Sequence, residues 1–181
     1  WVGVSLKDVL ARAELQNTAK QVTFNGLDTA IFGGGDFVKS LDVNHALDGE
    51  VMLAYQMNGA DIPMLNGYPV KLIVPGYNGT YWVKHLNEIG VLDHEFEGFW
   101  MKSAYRIPDT PDNSVEPGTA PKATIPINRF TVRSFITSVA DGAKLKSGRT
   151  RLRGIAFDGG TGIKEVAISM DGGKTWVPAR L

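Results

Sequence analysis

Five of the nine prolines fall within residues 107–126, at Pro108, Pro111, Pro117, Pro121 and Pro126. Each ring fixes its own φ, removes a backbone donor and biases the residue before it away from helix. No long helix or central strand can run through such a stretch, so the chain must fold as two parts joined by an extended connector. Charge changes at the same place. Residues 1–122 carry 9 basic and 15 acidic groups, net −6, and residues 123–181 carry 10 and 4, net +6. The overall balance of zero argues against a protein that coats nucleic acid. No apolar run approaches the roughly 20 residues of a membrane-spanning helix. The absence of cysteine removes disulfides, thiolate zinc sites, thiolate-held iron–sulfur clusters and cysteine nucleophiles from these residues together. The sequence opens at Trp1 with neither a methionine nor a signal-peptide pattern, as expected of a processed, excised or trimmed product.

The first part mixes helix and strand. Ser5 followed by Asp8 reads as a helix start, and Leu6, Val9, Leu10 and Ala13 recur at helical spacing, predicting a short helix over 6–13. Strands are predicted over 21–24, 50–57 and 70–74, the last ended by Pro75-Gly76. Residues 82–89 suit either a strand or a turn of helix. Gly33-Gly34-Gly35 reads as a flexible loop, since no GxGxxG or Walker pattern surrounds it. The second part is strand-like at 130–137, 151–157, 164–169 and 175–179, with turns at Gly142, Gly159-Gly160 and Asp171-Gly172-Gly173. About four strands are roughly half an immunoglobulin-like sandwich. Arg149, Arg151 and Arg153 would share one strand face there, most simply a solvated one.

His45, His85 and His94 are scattered, without the spacing that places two ligands on one helix face, so surface or core histidines explain them better than a metal site. The unusual stretch is 66–106. It interleaves Tyr68, Tyr77, Tyr81, Trp82, Phe96, Phe99, Trp100 and Tyr105 with Lys71, Lys84, Lys102 and Arg106. Polar-tipped aromatics beside cations suit a pocket for an anionic group, and equally an aromatic core with lysines at its rim.

Three runs carry a resemblance: AYQMNG from Ala54, NGYPVKLIVPG from Asn66 and GTYWVK from Gly79. Together they resemble the sulfite oxidase family of molybdenum-cofactor enzymes. GFWMKSAYRIPD from Gly98 looks most like the family's bacterial sulfite dehydrogenases, which pass electrons to a c-type cytochrome. RGIAFDGGTGIKEVAISMDGGKTW from Arg153 is similar to the family's C-terminal immunoglobulin-like dimerisation domain. The implied fold is α+β: residues 1–107 a C-terminal portion of the molybdopterin-binding domain, 108–126 a proline-rich linker, and 127–181 part of an immunoglobulin-like β-sandwich.

The resemblance implies sulfite oxidation on a molybdenum–molybdopterin cofactor in the periplasm, with a c-type cytochrome as acceptor, and leaves open whether a haem sits on the same chain or on a separate subunit. Sulfane dehydrogenation and nitrate reduction use the same scaffold. By match of position, Asp28, Asn66, Lys71, Trp82, Val83 and Lys84 would bind the cofactor. Tyr105 would be the catalytic tyrosine, and Trp100 would line the substrate pocket. Asn66 and Lys71 stand where vertebrate relatives have histidine and arginine. The asparagine keeps hydrogen bonding without a titratable ring, and the lysine keeps charge without the bidentate fork. The family's molybdenum-ligating cysteine lies N-terminal to the matched region, so this chain is expected to hold no metal ligand. It reads as an internal piece, inactive alone, that needs the remainder of the enzyme and pairs with a second copy through its sandwich.

Overall fold

The computed structural model describes residues 1–29 and 35–181, and Gly33 and Gly34 of the glycine triplet lie outside them. The chain divides into two compact units, Trp1–Asn128 and Arg129–Leu181. In chain order the first unit contains β1 (Val2–Ser5), α1 (Leu6–Arg12), β2 (Gln21–Gly26), β3 (Lys39–Asp42), α2 (Val43–Ala46), β4 (Met52–Met57), β5 (Ala60–Asp61), β6 (Lys71–Ile73), β7 (Leu86–Leu92), α3 (Phe99–Lys102), β8 (Arg106–Pro108) and β9 (Thr124–Pro126). Single 3₁₀ turns stand at Met64–Asn66 and Gly79–Tyr81. Most of the structure is sheet, and the helices are short.

Two antiparallel sheets carry the first unit. In one, β4 pairs with β1, β5 and β6; in the other, β2 lies between β3 and β7. Alternation explains the core. Along β2 the side chains of Val22 and Phe24 are fully buried while their neighbours are half-buried, as period-2 geometry requires. They meet Leu6 and Leu10 of α1, Leu53 and Leu72 of the other sheet, and Tyr81, Val83 and Met101 in one cluster. Burying a side chain such as Phe24 contributes about 1.5–3 kcal/mol.

The helix expected over 6–13 forms at Leu6–Arg12, but the Ser5 hydroxyl makes no capping bond. Leu6 N–H instead donates to Val51 O at 2.9 Å, so the neighbouring strand segment satisfies the helix start. Residues 82–89 become neither alternative throughout: a 3₁₀ turn precedes them and β7 begins only at Leu86. The proline-rich stretch is extended but does not simply run on. Its ends fold back and pair as β8 and β9, with Arg106 opposite Pro126 and Pro108 opposite Thr124. The ladder tolerates the prolines because neighbouring residues donate, Ile127 N–H to Tyr105 O at 2.7 Å and Asp109 N–H to Ala123 O at 3.0 Å.

The second unit contains β10 (Arg133–Ile136), β11 (Gly154–Phe157), β12 (Ala167–Ile168) and β13 (Val177–Pro178), paired antiparallel as β10 with β11 and β12 with β13. All four expected strands form, each shorter than its apolar run. Arg149, Arg151 and Arg153 lie outside a strand, since β11 starts only at Gly154. Phe135, Ile136, Ile155, Trp176 and Val177 remain exposed.

Candidate cofactor site

A cavity of about 290 Å³ opens in the first unit where the end of β2, the 79–84 segment, Phe37 and Tyr105 converge. Two glycines allow the approach. A Cβ on Gly26 would sit 2.2 Å from Lys84 O, so only glycine lets β2 lie against that backbone and carry Asp28 to the cavity wall. Gly67 adopts φ 114°, and a Cβ there would stand 3.0 Å from Lys84 Cα. The turn before β6 can therefore press on the same lysine. Lys84 Nζ donates to Leu65 O at 3.0 Å, which leaves an ammonium anchored at the cavity edge.

The 3₁₀ turn divides its side chains between core and cavity. Tyr81 is buried, with its hydroxyl 3.8 Å from Met101 Sδ, whereas Thr80 lines the cavity. Thr80 Oγ1 is buried and has no hydrogen-bond partner among the described residues. Leaving such a group unmatched costs about 1–3 kcal/mol. Trp82 is fixed by its indole N–H, which donates to Val74 O at 2.9 Å, and Val83 O accepts from Leu72 N–H at 2.9 Å. Both residues line the cavity.

Tyr105 stands at φ 53°, a left-handed conformation unusual for a bulky residue and one that clusters at functional positions. It is 44% exposed, and its ring lies 5.9 Å from those of both Phe37 and Trp100. The kink is held by its carbonyl, which accepts from Ile127, and by Arg106, whose guanidinium donates to Met101 O at 2.9 Å and to Thr124 O.

Of the residues expected from sequence, Asp28, Trp82, Val83, Lys84 and Tyr105 share this cavity. Lys71 and Trp100 stand one contact away. Lys71 Nζ lies 5.5 and 5.8 Å from the rings of Trp1 and Trp82, and Trp100 packs on Tyr105. Asn66 is exposed on its turn and does not line the cavity. Phe37 and Thr80 were not singled out by sequence reasoning. A phenylalanine between an aspartate and a valine and a threonine between glycine and tyrosine carry no chemical signal until the fold aims them. The aromatic stretch is divided: Tyr81 is core, Trp82 and Tyr105 line the cavity, and Tyr68 and Phe99 are exposed.

Burial, and next the charge of Lys84, hold the Lys71 ammonium below the ordinary lysine range. Two cations that repel one another, beside an unmatched hydroxyl, an indole wall and a phenol, suit an anionic, hydrogen-bonding planar group. The donor set thus fits the organic, phosphate-bearing part of a pterin cofactor. It does not extend to the metal, because the chain has no cysteine and the described residues contain no metal-holding cluster of His, Asp or Glu. The three histidines bind separate partners: Asp48, Tyr68 O and Asp93.

The fold and the lining of this cavity suit the binding of an anionic group. Residues 1–100 match the oxidoreductase molybdopterin binding domain and residues 124–181 the Mo-co oxidoreductase dimerisation domain. The chain is 36% identical over 188 residues to human mitochondrial sulfite oxidase, covering 100% of this chain and 34% of that protein. Identity is 35% to the sulfite oxidase of Arabidopsis thaliana, over 99% of this chain and 48% of that protein, and 31% to the NADH nitrate reductase of Spinacia oleracea, over 97% and 21%. Among solved structures it is similar to the sulfane dehydrogenase SoxCD of Paracoccus pantotrophus, with a TM-score of 0.77, 30% identity, and coverage of 98% of this chain and 42% of that one. The chain therefore belongs to the sulfite oxidase family of molybdopterin oxidoreductases. It spans about a third of the length of the mammalian relatives it matches.

Proposed function

We propose that these residues form part of a periplasmic molybdenum enzyme that oxidises sulfite to sulfate and passes the electrons to a c-type cytochrome, with any haem on a separate subunit. The observation that carries this is the meeting of Asp28, Thr80, Trp82, Val83, Lys84 and Tyr105 around one cavity in a chain of this family. Higher identity to the sulfite oxidases than to the nitrate reductase or SoxCD supports the choice of substrate. Residues 1–107 would serve as the cofactor-binding portion, 108–126 as the connector, and 127–181 as an immunoglobulin-like half that pairs two copies.

When bound, molybdenum–molybdopterin supplies the two-electron redox chemistry. This chain's residues bind and orient. Lys84 and Lys71 would offset the negative charge of the cofactor, Thr80 Oγ1 would gain a partner, and Asp28 would accept hydrogen bonds from it. Tyr105, which lines the cavity, would supply a phenol hydrogen-bond donor to an oxyanion held there, and Trp100 packs on its ring. Without a thiolate, these 181 residues alone are expected to be inactive.

The test is turnover by the full-length enzyme with sulfite, a sulfane substrate and nitrate, each beside cytochrome c reduction or oxidation. Sulfite-dependent cytochrome reduction is the expected result; preference for either alternative overturns the sulfite reading. The sulfane reading is the second choice, favoured by the structural likeness to SoxCD.

A further inference from the structure

Lys39, on β3, is fully buried. Its Nζ donates to Trp100 O at 2.8 Å and lies 4.5 Å from the Tyr81 ring centroid and 5.6 Å from that of Tyr105. None of the ion pairs among the described residues involves it, and residues 30–34, which read Ala-Ile-Phe-Gly-Gly, contain no acid. A buried ammonium without a carboxylate is expensive, and a methionine would fill similar space without that cost. The groups that face it are one carbonyl and two phenol rings. Burial keeps the Tyr81 phenol well above its ordinary range and hence neutral; Tyr77 and then Asp42 act the same way, opposed by Arg106. Among the described residues the positive charge is therefore not cancelled by a carboxylate. It reaches outward through the Tyr105 ring, which lines the cavity, and through the backbone of Trp100, whose ring packs on Tyr105.

We propose that Lys39 is a positioning residue of this site: it holds the Tyr105 ring at the cavity wall and the Trp100 backbone behind it, and its uncancelled charge makes that wall selective for an anionic substrate. The proposal rests on the reading that the cavity belongs to the cofactor and substrate site, and extends it to a residue that touches neither. Cation–π contact and the single hydrogen bond account for the clamp. Low effective dielectric around a buried charge carries its field to the cavity. Burial also lowers the lysine to about 8, so the ammonium persists at neutral pH and is lost under mildly alkaline conditions.

The test uses the full-length, cofactor-loaded enzyme with Lys39→Met and Lys39→Gln, the second keeping a hydrogen bond to Trp100 O without charge. Sulfate is the probe anion, with its dissociation constant read by calorimetry and its binding checked without turnover. Both variants are expected to retain molybdenum and to bind sulfate at least roughly tenfold more weakly, and wild-type affinity is expected to fall between pH 7 and 9.5. KM for the anionic substrate should rise more than kcat falls. Glutamine binding within twofold of wild type, a wild-type affinity that is flat across that pH range, or no sulfate binding by wild type overturns the proposal. The wild-type pH profile decides even if neither variant folds. Because sulfate is only a probe, failure to oxidise sulfite would sink the substrate reading and leave this comparison intact.

Discussion

At the scale of single residues, the site is defined by groups whose local conformation or partners are incomplete within the described chain. Tyr105 is held in a left-handed backbone by β8 and β9 and lines the cavity. Replacing Tyr105 with phenylalanine in the full-length enzyme is expected to lower kcat at least roughly tenfold at unchanged molybdenum content, as removal of a donor to developing charge does. Kinetics equal to wild type would remove the phenol from the reaction. Lys39 gives a thermodynamic signature of its own. The unfolded chain binds its proton up to the ordinary 10.5, whereas the folded chain releases it at about 8. Between those values the unfolded state holds more protons, so stability rises with pH in that window. Thermal denaturation at successive pH values should show this rise in wild type and its loss in Lys39→Met. In the second unit the sign is opposite. The Thr175 hydroxyl first, then the Thr175 N–H, the Ser169 hydroxyl and the Lys174 N–H, hold exposed Asp171 at about 2. Its contribution is complete above the ordinary 3.8 and is lost as pH falls through 2. The Thr175 amide resonance should titrate near 2 in wild type and not at all in Asp171→Asn.

At the scale of elements, the close passage of β2 beneath Lys84 links the core to the cavity. Gly26→Ala would drive a methyl group into Lys84 O, 2.2 Å from where it must stand. Such overpacking costs about 1–3 kcal/mol, and here it would also shift Asp28 relative to Lys84. Lower denaturation midpoint together with reduced molybdenum loading is the expected pair of effects; full loading would uncouple β2 from the site. The same element scale explains which segments were legible. Alternation in 21–24 and the apolar runs at 50–57 and 70–74 announce strands because burial follows a period of two. β3 went unrecognised because three consecutive buried residues, Lys39, Ser40 and Leu41, break that alternation and one of them is charged. The pairing of β8 with β9 escaped notice because prolines argue against strands except where others supply the donors.

At the scale of the whole molecule, the first unit has a closed apolar core and the second keeps most of its large apolar side chains exposed. Residues 124–181 match a dimerisation domain, so the full-length protein is expected to sediment as a dimer and a version ending near Pro108 as a monomer. Monomers in both would argue against pairing through that domain. The sequence by itself determined the division at the prolines, the opposite charge of the two parts, the strand character of the second and, through motifs at Ala54, Asn66, Gly79 and Gly98, the family. These follow from composition and order along the chain. Only the tertiary structure decided that Thr80 is left unmatched, that Asn66 stands away from the cavity, and that Lys39 lies buried beneath Tyr105. Burial and the direction in which a side chain points depend on what other segments bring against it, and a residue's neighbours in sequence do not contain that information.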